Sequence, residues 1–88
     1  MTLEGLIADI EKGGWIVWNL GRTTTGVWTC RLANPAHRGG NAGAAGYDDK
    51  NGWRHADGAT ARDALVAAGQ GLFSAKVQEQ LTIAAMLA

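Results

Sequence analysis

The 88-residue chain predicts an α+β fold, a three-stranded antiparallel sheet with N- and C-terminal helices packed on one face. Three observations carry this. Apolar residues recur at helical spacing at both ends, and three segments rich in β-branched and aromatic residues lie between them, divided by glycine-bounded turns. The length is that of one small domain, so residues 1–88 read as a single unit. The order α-β-β-β-α(α) is that of a two-layer sandwich.

Leu3, Leu6, Ile7 and Ile10 follow i, i+3, i+4, i+7, which predicts a helix over residues 2–12 with Thr2 as N-cap and Gly13-Gly14 as its stop. From Trp15 to Leu20 the pattern becomes that of a strand. Gly21 to Gly26 is a hairpin loop, and Val27 to Leu32 returns as the second strand, closed by Asn34-Pro35. Alternation separates Ile16, Trp18 and Leu20 from Trp15, Val17 and Asn19, and Trp28, Cys30 and Leu32 from Val27, Thr29 and Arg31. With the more apolar sets facing the helices, Trp15, Val17, Thr29 and Arg31 are expected on the outer face.

Residues 34–52 hold five glycines and no period and read as a long loop. Asp49-Lys-Asn-Gly52 is a turn signal leading into a third strand, Trp53 to Ala56. Thr60 and Asp63 mark the next helix start by capping and by the helix dipole. Ala61, Leu65, Ala68 and Leu72 line its apolar stripe until Gly69-Gln-Gly71, where the helix either bends or stops and Ser74 caps another. Val77, Leu81, Ala84, Ala85 and Ala88 form the last apolar face, directed at the first helix or a second subunit.

Of 41 apolar residues 16 are Ala, so the core is small and the four tryptophans supply much of its area. Eight basic residues balance eight acidic ones. That balance excludes a whole-molecule field for nucleic acid and wholesale acidic mimicry of DNA. One cysteine, Cys30, suits a reducing compartment, the segment MTLEGLIADIEKGG has no basic stretch of a secretory signal, and no apolar run would span a membrane. A cytoplasmic protein is expected.

Nucleophilic chemistry would need Cys30 with His37 or His55, but Cys30 alternates in phase with Trp28 and Leu32 and reads as core. One Cys and two His lack metal-ligand spacing. Asp48-Asp49-Lys-Asn51-Gly52 lacks the alternating carboxylates and distal Glu of a calcium loop. The glycines from Arg38 to Gly46 lack the Lys-Ser/Thr ending of a phosphate cradle. The chain therefore reads as non-catalytic, without metal or cofactor.

Two binding readings follow. In the first, a protein partner is engaged by Trp15 and Tyr47 as anchors, with acidic groups from the first helix (Glu4, Asp9, Glu11) or the loop (Asp48, Asp49). In the second, Arg22, Arg31, Arg38 and Arg54 hold nucleic acid against the outer sheet face. The element order matches the double-stranded RNA-binding domain in outline, but that family's basic helix start is missing. Thr60 to Asp63 has only Arg62, offset by Asp57 and Asp63.

LEGLIADIEKGGWIVW, the Gly/Ala-rich middle and HADGATARDALVAAG together resemble the short α-β-β-β-α proteins encoded by prophages of GC-rich bacteria. These include phage tail and replication accessories and anti-CRISPR proteins. The resemblance implies a stoichiometric inhibitor that binds a host defence complex, such as a CRISPR effector, and blocks target DNA binding or nuclease recruitment. Many anti-CRISPR proteins are acidic, and the balanced charge of this chain departs from that pattern.

Overall fold

The structure, a computed structural model, describes residues 1–37 and 45–87. It is an α+β sandwich with three helices, α1 (Leu3–Lys12), α2 (Ala61–Ala68) and α3 (Ala75–Leu87), and four strands, β1 (Ile16–Arg22), β2 (Trp28–Ala33), β3 (Gly46–Asp48) and β4 (Trp53–Gly58). The sheet is antiparallel throughout with order β1-β2-β4-β3, so three strands become four. The added strand lies in the stretch expected to be loop. Its three residues are too few to show a period, and it exists because the turn after it folds it back onto β4. Gly52 N–H donates to the Asp48 carbonyl at 2.9 Å, and the Asp48 carboxylate accepts from the Asn51 backbone and side-chain amides at 3.2 and 2.8 Å.

The helix boundaries follow the capping chemistry. Thr2 is extended and its Oγ1 accepts from Gly5 N–H at 3.0 Å, Thr60 does the same for Asp63 N–H at 3.0 Å, and Ser74 Oγ accepts from Val77 N–H at 3.3 Å. At Gly69-Gln-Gly71 the chain stops rather than bends. A Cβ at Gly69 would sit 2.8 Å from the Phe73 ring and 2.9 Å from Ile10 Cδ1, so only glycine lets Phe73 fold back across the end of α2.

Sheet register decides what faces the helices. Val17 pairs with Leu32 but Asn19 pairs with Arg31, leaving Trp18 as an extra residue in β1. This β-bulge shifts the alternation by one. Trp15 and Val17 precede it on the inner face, and Leu20 follows it on the same face beside Cys30. The expectation that Trp15 and Val17 lie outside and Ile16 and Trp18 inside is therefore corrected: Trp15 is 6% exposed, whereas Trp18 is 65% and Ile16 44% exposed. In β2 the expected phase holds, with Cys30 and Leu32 fully buried and Trp28 packed on the core.

The core joins Leu6 and Ile10 of α1, Trp15, Cys30, Leu32, Ala64, Leu65 and Ala68 of α2, Phe73 and Val77. Helix α2 lies closest to the sheet: a Cβ at Gly58 in β4 would come within 2.8 Å of Asp63. Helix α3 joins through Val77 and Leu81, while Ile83, Met86 and Leu87 are exposed. Of the apolar face expected there, Ala84 and Ala85 are exposed and Ala88 lies outside the described residues. No helix among the described residues is long and apolar enough to cross a membrane.

Candidate binding face

The sequence groups Trp15, Tyr47 and Asp49 as a docking surface and Arg54 as a nucleic-acid contact. The structure brings all four together, in an internal latch. Arg54 stands on the inner face of β4, paired across the ladder with Leu32 and Tyr47, and is 5% exposed. Its Nε and Nη2 donate to the two Asp49 carboxylate oxygens at 2.6 and 2.7 Å, a fork that matches the carboxylate plane. Its Nη1 donates to the carbonyls of Ala68, the last residue of α2, at 3.1 Å, and of Gln70 just beyond it. The guanidinium carbon lies 4.3 Å from the Tyr47 ring centroid and 5.7 Å from that of Trp15. Tyr47 in turn donates its hydroxyl to the Ala67 carbonyl. Hydrogen bonding from Arg54, aided by its charge and opposed by partial desolvation, holds the Asp49 carboxyl below its ordinary range.

This placement removes Arg54 from the nucleic-acid reading and Trp15 from the partner surface, because neither head group reaches solvent. The acidic residues are also divided. Asp48 and Asp49 are engaged in the β3–β4 turn and the latch, and Asp9 accepts from Ser74 N–H at 2.8 Å, tying α1 to the start of α3. Glu4 and Glu11 are exposed on α1, and Tyr47 keeps about half its surface in solvent. Arg22 is exposed at the end of β1, and Arg38 lies outside the described residues.

Cys30 and His55 cannot act as a pair. Cys30 lies opposite Ala56, so its side chain and that of His55, the residue before Ala56, project from opposite faces of the sheet. Burial pushes the Cys30 thiol up to about 12. Among the described residues, no three His, Cys, Asp or Glu side chains converge as a metal cluster.

The outer face of the sheet carries what the sequence analysis missed. Three cross-strand rows define it: Ile16, Ala33, Trp53 and Asp48; Asn19, Arg31, His55 and Gly46; and Gly21, Thr29 and Asp57. Trp18 projects from the bulge at one edge. Within the middle row Arg31 and His55 are direct partners, yet Arg31 Nε and both His55 ring nitrogens are buried without a hydrogen-bond partner. The contact nearest to one is His55 Nε2 to Asp57 Oδ1 at 3.4 Å. The signal was available as the period-two run Trp53, His55, Asp57, but seeing it oppose Arg31 needed the register. No protein-family model, curated protein or solved structure matches the chain.

Proposed function

We propose that this chain is a small non-catalytic binding protein of the host cytoplasm that docks stoichiometrically on a host defence complex of CRISPR type and blocks its target DNA binding or nuclease recruitment. The open sheet face is the docking surface. The observation that carries this face is Trp18, a tryptophan 65% exposed on a bulge beside Ile16 and the Arg31–His55 row. Tryptophan and arginine in one cluster are the residue types enriched at binding hot spots. The defence-complex target is what the resemblance of the N-terminal and HADGATARDALVAAG segments implies.

Docking on protein is favoured over docking on nucleic acid because the arginine set has come apart. Arg54 is committed to the latch, and the described arginine of this face, Arg31, shares it with Asp48 and Asp57. A polyphosphate strand calls for a continuous positive track, which that composition does not provide.

The test is a target-DNA gel shift by a purified CRISPR effector complex, with and without nuclease-treated protein and its Trp18→Ser variant. Inhibition at a one-to-one ratio by the natural chain, lost in the variant, is the expected result. A salt-sensitive shift of oligonucleotide by the protein alone, with no effect on the effector, would refute the proposal.

A further inference from the structure

We propose that Arg31 and His55 form a seat for a single carboxylate on the open sheet face, so that the docking partner presents an aspartate or glutamate there. This rests on the docking reading above and names the partner's chemistry. The two residues are register partners across β2 and β4, with Asn19 opposite Arg31 on its other side and Gly46 opposite His55. His55 is 8% exposed with neither ring nitrogen hydrogen-bonded, Nε2 lying 3.4 Å from Asp57 Oδ1, and Arg31 Nε is buried without an acceptor. Folded proteins leave few buried polar groups unpaired, and these belong to register partners on one face, where one ligand can serve both.

The chemistry of that partner follows from the donors. Arg31 is permanently cationic and presents Nε–H. His55 offers one N–H when neutral and two when protonated. A carboxylate has two oxygens and accepts from both residues at once, and its charge is matched by the guanidinium. Arg31 as a whole is half-buried, and its Nε, like both His55 ring nitrogens, is covered, so a carboxylate seated there displaces what covers these atoms. The carboxylate already on this face, that of Asp57, stands 3.4 Å from His55 Nε2 without making a hydrogen bond, and it shows no ion pair to Arg31 among the described residues. Ile16 and Trp53 occupy the adjoining row, and Trp18 projects from the bulge beside it. Asp48 and Asp57 in the two flanking rows disfavour a polyanion, which leaves a single carboxylate as the anion that fits.

The experiment is an NMR titration of the full chain, following the Arg31 Nε–H and His55 ring signals. Sodium acetate is added at constant ionic strength against sodium chloride, with inorganic phosphate and a short oligothymidylate as separate arms. Saturable shifts of both signals by acetate are expected, weakened about tenfold or more in Arg31→Gln, the loss that follows from removing a charged hydrogen-bond donor. Arg31→Lys, which keeps the charge and loses Nε–H, serves if Arg31→Gln does not fold, and should weaken acetate binding as well. Acetate shifts no larger than those of chloride overturn the seat, as does oligothymidylate saturating signals that acetate leaves in place. In the effector assay, inhibition lost in Trp18→Ser but intact in Arg31→Gln overturns the carboxylate seat and leaves the docking face standing. Inhibition intact in Trp18→Ser removes the docking face itself.

Discussion

Replacing Arg54 with methionine tests the latch most directly, because methionine keeps an unbranched apolar stem and removes every polar contact of the guanidinium. Ala68 is fully buried, and stranding a buried carbonyl costs about 1–3 kcal/mol. The stack on Tyr47, 4.3 Å from its centroid, contributes about 0.5–1 kcal/mol. Asp49 is half exposed and its carboxylate regains water, so that pair adds no more than about 1 kcal/mol. The loss is about 1.5–5 kcal/mol, a large share of the roughly 4–13 kcal/mol expected for a chain this size. With a urea dependence of about 1 kcal/mol per M for so small a domain, the midpoint should fall by about 1.5 M or more. Urea unfolding followed by tryptophan fluorescence reads this directly. Arg54→Lys, which keeps the charge without the fork, should fall between the two. A methionine variant as stable as the natural chain would refute the reasoning, since it would mean that the helix-end carbonyls need no partner from β4.

The same latch sets an acid limb. The Asp49 carboxyl is depressed below 3.8 in the folded chain, so its stabilising contribution is complete above that value and disappears as pH falls through the lower folded one. Asp49→Asn should flatten the acid limb of a pH–stability curve while costing at most about 1 kcal/mol at neutral pH. The bulge predicts opposite outcomes for two neighbouring tryptophans: Trp15→Ala should cost about 3–5 kcal/mol by thermal or urea unfolding, and Trp18→Ser less than about 1 kcal/mol. Cys30, with its thiol pushed up to about 12, should resist a thiol reagent at pH 8 in the native state and react at the unfolding rate in urea.

How far the sequence could be read depended on whether one rule or two competed at a site. Helix α1 was legible to within one residue, since Thr2, the apolar spacing and Gly13 agree. β1 was not, because Trp15-Ile-Val-Trp is apolar in both phases and alternation has nothing to separate; only pairing with β2 shows that Trp18 is the extra residue. β3 has three residues and no pattern of its own. Arg54 was misplaced because a charged residue in a strand was assigned to the wet face. The fork to Asp49 and the carbonyls at the end of α2 lie 5, 14 and 16 residues away, which no local pattern connects. The outer face was expected with Thr29 and Arg31 on it, and both lie there, but the Arg31–His55 row exists only once register is known.

The bulge also bears on how copies of this chain behave at high concentration. With the order β1-β2-β4-β3, β1 is an outer strand whose far side has no ladder partner among the described residues. A regular strand in that position is a template on which another molecule can add its own. An extra residue at Trp18 interrupts the even spacing of amides and carbonyls and increases the local twist, so an incoming strand can match the edge on one side of the bulge but not on both. The irregularity that exposes Trp18 also makes the backbone beneath it a poor template for a further strand.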